Sequence, residues 1–203
     1  MRYFVTAIDT DSGKTLVSAI LCEALMADYW KPIQSGFLRD TETVMSLVSN
    51  KQTKFHPEGY LLKTPASPHA SAKIDKTTID LGSLSAPATT HHLIIEGAGG
   101  CLVPLNDRDF MIDLIPRFAA EVILVSNLYL GSINHTLLTV EALMARKTKI
   151  KGLVFNGEPN EESERIILHH TGLRCLLRIM KEETISREVV RKYASLLKEN
   201  WNE

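Results

Sequence analysis

The stretch AIDTDSGKT, Ala7 to Thr15, decides how this chain is read. It closes as a phosphate-binding loop closes. Gly13 lets backbone approach a ligand, Lys14 supplies a cation for phosphate oxygens, and Thr15 offers a hydroxyl to Mg²⁺. The pattern G-x-x-x-x-G-K-[ST] asks for glycine where Ile8 stands, so the opening of the loop does not fit. Context supports the site nonetheless. YFVTAI, Tyr3 to Ile8, precedes the loop with the composition of a buried strand, and Lys14 onward reads as a helix to Ala27. In that order the loop N–H groups and the helix dipole would face phosphates. The plainer alternative is a tight strand-to-helix turn with a solvated lysine.

Working outward, short β-rich runs recur at His92 to Gly97, Glu121 to Asn127, Lys151 to Asn156 and Arg174 to Ile179. Their continuous apolar character suits strands buried on both faces. Helical patterns lie between them at Glu42 to Ser49, Asn134 to Arg146, Glu161 to His170 and Thr184 to Asn200. Alternation of this kind implies an α/β fold, a doubly wound and mostly parallel sheet flanked by helices, of P-loop NTPase type. A single domain over 1–203 is expected. Gln52 to Thr90 is the least regular part, a loop-rich cover or a surface connection. Ligands in such sheets bind beyond the carboxyl ends of the strands, so the residues just past each strand end carry the chemistry.

Bulk properties narrow the classes. The chain has 203 residues, 44% hydrophobic and 23% charged, with a net charge of -1. That is enough for a well-buried core and leaves no global field for polyanions, so nucleic-acid binding is not expected. Cys22, Cys101 and Cys175 form no C-x-x-C pair and are odd in number, which argues against a disulfide framework or thiol metal site. No window approaches about 18 uninterrupted apolar residues, and RYFVTAID opens as a strand rather than a signal segment. No membrane association and a cytoplasmic setting are expected.

IIEGAGG, Ile94 to Gly100, places Glu96 at a strand end with Gly97, Ala98, Gly99 and Gly100 after it. A carboxylate there suits a second Mg²⁺ anchor, since the metal needs hard oxygen ligands; a tight turn with an exposed Glu is the alternative. YWKPIQSG, Tyr29 to Gly36, carries Lys31 and Ser35 where a second strand should end, and on its own reads as a turn with a surface lysine. Asp40 and Glu42 near a helix start would ordinarily favour its dipole. LYLGSINHTLLT, from Leu128, turns from strand end to helix with Ser132, Asn134 or Thr136 as candidate caps. Asn156 ends another strand, where its amide could read an adenine edge or cap a turn.

Together these segments resemble the dethiobiotin synthetase family of ATP-dependent cyclo-ligases. That family's loop, G-T-D-T-x-V-G-K-T, has five residues between its glycines, and the spacing from Ala7 to Gly13 matches it. KPIQSG, the Ser67 to His69 SPH, IEGAGG, Pro104-Leu105, LGSINHTLLT and Asn156 then recur in the family's order, from about Arg2 to Gly157.

The resemblance implies a reaction that joins CO₂ to 7,8-diaminononanoate at the expense of ATP with Mg²⁺, through a carbamate and a carbamic-phosphoric anhydride. It implies catalytic roles for Lys14, Lys31 and Thr10, and nucleotide contacts from Asp11, Ser12, Gly13, Lys14, Thr15 and Leu16. Gly97, Ala98 and Gly99 would line the same site. Thr15, Asp40 and Glu96 would hold Mg²⁺, and Asn156 with Gly157 would contact adenine. Ser35 would touch substrate, and Gly131, Ser132 and Asn134 would receive its carboxylate across a homodimer interface.

Three departures stand out, one being that the chain between the first helix and Lys31 is short, with ADYWKP leaving only a stub for a second strand. Ala7 replaces the loop's first glycine and Ile8 the threonine after it. In place of the Ile-Pro pair leading into a second adenine segment stands RIMKEE, around Ile179 and Met180. The competing readings are a partitioning-type ATPase switch, a related amidoligase and an inactive homologue. Partitioning loops carry a lysine five residues before the phosphate lysine, where this chain has Asp9. If residue 7 merely ends the strand, its change should cost little.

Overall fold

The computed structural model describes residues 1–201, and the alternation read from sequence becomes one wholly parallel seven-stranded sheet with helices on both faces. The main elements are β1 (Arg2–Ala7), α1 (Lys14–Leu25), β2 (Asp28–Trp30), β3 (Ile33–Ser35), α2 (Asp40–Leu47), β4 (Phe55–His56), β5 (Tyr60–Leu62) and α3 (Pro68–Ile74). They continue with β6 (Leu93–Gly100), α4 (Leu114–Arg117), β7 (Glu121–Asn127), α5 (Ser132–Ala145), β8 (Ile150–Asn156), α6 (Glu161–Thr171), β9 (Cys175–Ile179) and α7 (Arg187–Asn200). Strand order is β4-β2-β6-β1-β7-β8-β9, so β1 is central and the loop after it is flanked by the ends of β6 and β7.

Strand periodicity divides β1 between two apolar layers. Tyr3, Val5 and Ala7 pack with Val17, Ile20 and Leu21 of α1 and with Val190, Tyr193 and Leu197 of α7. Phe4 points the other way, into a layer with Leu114, Ile115, Val140, Leu143 and Ile167. Burial on both faces is why these strands read as continuous apolar runs. Among the described residues no helix is long and apolar enough to cross a membrane.

Several boundaries differ from the sequence reading. Gln52 to Thr90 is not merely irregular: it holds β4, β5 and α3, and β5 pairs in parallel with β3 in a separate two-stranded sheet. Helix α2 starts at Asp40 rather than Glu42. Helix α7 starts at Arg187, because the Ser186 hydroxyl accepts a hydrogen bond from Val189 N–H at 3.4 Å and fixes the first turn there. None of Ser132, Asn134 or Thr136 caps α5. Gly131 takes that position with φ 107°, a backbone conformation that favours glycine, while Thr136 Oγ1 donates to the Ser132 carbonyl at 2.7 Å.

Ala7 is the last residue of β1, fully buried, and it keeps an ordinary negative φ. Its methyl joins the core of the α1 layer. The backbone N–H of Ile8 continues the ladder by donating to Val125 O at 3.1 Å. Glycine is therefore not needed at residue 7 for backbone geometry.

Candidate active site

The loop from Asp9 to Gly13 rises from the end of β1 and turns into α1 at Gly13, whose φ of 94° is one that side chains resist. Asn156, at the end of β8, sits directly above that glycine. A Cβ placed on Gly13 would lie 2.3 Å from Asn156 Nδ2, which instead donates to Ser12 O at 2.9 Å. Ser12 is fully buried, and its hydroxyl donates toward Asn127 Oδ1 at 2.7 Å and Asp9 O at 3.0 Å. Asn127 ends β7 in register with Asn156, so two neighbouring strand ends tether one loop.

Lys14 closes the loop on itself. Its Nζ donates to Thr10 O at 2.7 Å and Asp9 O at 3.0 Å. Burial lowers its pKa to about 8, with the nearby Lys31 cation adding to the effect and Glu96, Asp40 and Asp11 opposing it. An anion arriving in the loop would relieve both penalties.

On the other side of β1 a charged cluster forms among the residues after β2, β3 and along β6. Lys31 Nζ lies 2.6 Å from Asp40 Oδ2 and 2.9 Å from Glu96 Oε1, and donates to Gly97 O at 3.1 Å. Burial alone would lower the Lys31 pKa, but Glu96 and Asp40 together outweigh it and hold the value above that of a free lysine. Thr15 Oγ1, in the first turn of α1, lies 3.0 Å from Asp40 Oδ1 and 3.1 Å from Glu96 Oε1. Tyr29 OH donates to the remaining oxygen, Glu96 Oε2, at 3.0 Å. Asp40 is the first residue of α2, with its side chain turned to this cluster, and Gln34 Oε1 accepts its backbone N–H at 3.1 Å.

Loop and cluster, joined through Thr15, together line a cavity of about 600 Å³. Thr10, Asp11, Gly13, Lys14 and Thr15 of the loop and first helical turn line it together with Lys31, Ser35, Asp40, Glu96, Ala98 and Gly99. Pro65 to Pro68, just before and at the start of α3, also line it, so part of the segment read as irregular is a side of the site. Ser35 Oγ is buried and has no hydrogen-bond partner among the described residues.

Some expected residues lie elsewhere. Ser12 is behind the loop, Leu16 packs on the core, and the Gly97 carbonyl serves Lys31. Asn156 and Gly157 stand at the back of the loop, where Gly157 N–H donates to Ile179 O at 2.9 Å. Gly131, Ser132 and Asn134 do not line the main cavity. Gly131 borders a separate recess with Tyr129 and Asn160, Ser132 is buried, and Asn134 is exposed. Asn127 and Tyr29 were not singled out from sequence. The signal for Asn127 was its place at the end of a strand run, the same signal that marked Asn156.

Comparison with known proteins bears on this arrangement. The family model described as an AAA domain matches residues 1–189. An ATP-dependent dethiobiotin synthetase of Cytophaga hutchinsonii is 58% identical over 100% of this chain and 99% of its own length. That of Christiangramia forsetii is 46% identical, covering 95% of this chain and 93% of its own. Among solved structures, a ParA family ATPase from Chlorobium tepidum superposes with a TM-score of 0.59 at 13% identity, covering 100% of this chain and 94% of that one. The septum site-determining protein MinD from Pyrococcus horikoshii, complexed with Mg-ADP, gives 0.56 at 15%, covering 98% and 90%. These two distant likenesses concern the fold alone. Full-length identity of this order, with the loop, KPIQSG and IEGAGG motifs meeting in one cavity, places the chain in the ATP-dependent dethiobiotin synthetase family.

Proposed function

We propose that this chain, acting as one domain in the cytoplasm, is an ATP- and Mg²⁺-dependent cyclo-ligase that forms the ureido ring of dethiobiotin from 7,8-diaminononanoate and CO₂. The observation that carries the reading is the buried Lys31 cation, held by Asp40 and Glu96 in the same cavity as the Lys14 loop. A fixed cation in a water-poor site, close to where phosphates would lie, is what a carbamate needs as it accepts a phosphoryl group.

In this reading one substrate amine adds to CO₂ and loses a proton, giving a carbamate. A carbamate oxygen then takes the γ-phosphoryl group of ATP. The second amine attacks the same carbon, phosphate leaves, and the ring closes. Lys14 exchanges its two carbonyl partners for phosphate oxygens, with Thr10 and the N–H groups from Asp11 to Leu16 around them. Lys31 neutralises the carbamate and the transferred group. Ser35, whose hydroxyl has no partner among the described residues, binds the substrate's reacting end. Thr15, Asp40 and Glu96 would hold Mg²⁺, and a hydroxyl with two carboxylates converging within hydrogen-bond reach is a donor set that suits a hard cation. That ion would neutralise phosphate charge. Asn156 and Gly157 would contact adenine. Gly131 to Asn134, which lie outside the main cavity, would receive the carboxylate of a substrate bound mainly by the partner of a homodimer.

The test is phosphate release from ATP with mass detection of a cyclic urea. Release is expected only when Mg²⁺, the diamine and bicarbonate are all present. Equal ATP turnover without the diamine would sink the ligase reading and favour a partitioning-type switch.

A further inference from the structure

Glu96 is 1% exposed and has both oxygens engaged, yet only one of its three side-chain donors lies outside the roles proposed for the reaction. That donor is Tyr29. Residues 29 and 31 are two apart at the end of β2, so their side chains leave the same face. β2 runs beside β6 with Tyr29 opposite Ile94, and Glu96 lies two residues beyond Ile94 on that face as well. The two side chains therefore grip opposite ends of one carboxylate. Lys31 Nζ takes Oε1 at 2.9 Å and Tyr29 OH takes Oε2 at 3.0 Å. The tyrosine ring is fully buried, with its centroid 6.1 Å from that of Phe55, so the hydroxyl has a fixed address.

We infer that Tyr29 is a positioning residue for the metal carboxylate: its hydroxyl holds Glu96 Oε2 so that Oε1 stays turned toward Thr15 and Asp40. Without it one oxygen of a buried carboxylate loses its partner, and the group is free to rotate away from the orientation that converges with Thr15 Oγ1 and Asp40. The inference rests on the proposed metal role of Glu96. Lys31 cannot substitute for Tyr29, because it approaches the same oxygen as Thr15.

The experiment is calorimetric titration of Mg²⁺ into the ADP-loaded full-length protein, for wild type, Tyr29→Phe, Glu96→Gln and the double variant, alongside ADP binding in EDTA. Tyr29→Phe should weaken Mg²⁺ binding by roughly tenfold or more, leave metal-free ADP binding unchanged, and add little on top of Glu96→Gln. Wild-type Mg²⁺ affinity in Tyr29→Phe, with or without a lowered melting temperature, overturns the inference while Glu96→Gln still loses affinity. If Glu96→Gln also keeps wild-type affinity, the metal role of Glu96 falls and takes the inference with it. Wild type offers a check that needs no folded variant. Adding Mg²⁺ to the ADP complex should give a near-ultraviolet tyrosine difference band, and a flat difference spectrum overturns the assignment.

Discussion

The strand ends on the two sides of β1 hold the cavity by different means. Toward β7 and β8 the ties are neutral: Asn127 and Asn156 meet Ser12 and the loop backbone through hydrogen bonds of 2.7 and 2.9 Å. Toward β6 and β2 the side chains are mostly charged, with Lys31 between Asp40 and Glu96 and with Thr15 and Tyr29 closing the ring. Neutral bonds contribute about 1 kcal/mol each and specify shape. Buried charges cost several kcal/mol to desolvate and hold only as a set, so losing one member exposes the others. The amide side is therefore a frame, and the charged side is where partners can be exchanged for ligand.

The comparison breaks most sharply at Lys31. Lys31→Ala should reduce turnover by at least about a hundredfold, the scale of losing a preorganised charge, while ATP affinity stays near wild type. Loss of ATP binding in equilibrium titration would instead make Lys31 part of the phosphate frame.

Lys14 stands between the two regions and tests them through pH. With its pKa lowered to about 8, it is mostly charged at pH 7 and neutral above that value. Phosphate prefers the charged form, so nucleotide affinity should hold below pH 8 and fall by up to about tenfold per unit above it. An affinity flat to pH 10 would remove Lys14 from phosphate binding.

The frame yields more gently. Asn127→Ala removes one of two acceptors for the Ser12 hydroxyl, because Asp9 O remains at 3.0 Å. ADP binding should weaken about fivefold, corresponding to about 1 kcal/mol, and kcat should hardly move. A fall in kcat with unchanged ADP affinity would move Asn127 from the frame to the reacting side. Ala7→Gly is the smallest expected change. Restoring the family's glycine deletes a buried methyl and loosens a strand end, so it should lower stability by about 0.5–1 kcal/mol in denaturant melts, with turnover intact. Raised turnover would mean that the alanine does constrain the loop.

The sequence made the long elements legible for a physical reason. Strands such as EVILVSN are buried on both faces and show as apolar runs, and α6 shows as a helical pattern that the structure bounds with Asn160 accepting from Ser163 N–H and with Gly172 in a left-handed turn. β4 and β5, two and three residues long, carry no period to detect, and they exist because β2 and β3 offer edges to pair with. The site shows the same division. Lys14, Thr15 and Lys31 could be found because each sits just beyond a strand end, and Glu96 because it stands before a run of small residues, although β6 runs on past it to Gly100. Tyr29 could not, since its partner is set by the strand order that brings Glu96 beside β2, and Asn127 carried only its strand-end position, its partner being set by β7 lying beside the loop.

The near contact between Gly13 and Asn156 has a consequence for how this family can vary. A methyl at residue 13 would collide with the Asn156 amide at 2.3 Å, and a different residue at 156 would release Ser12 O. A change at either position therefore disturbs the other. Two residues far apart in the chain are thus coupled by one contact, and a sequence that changes one is expected to change the other.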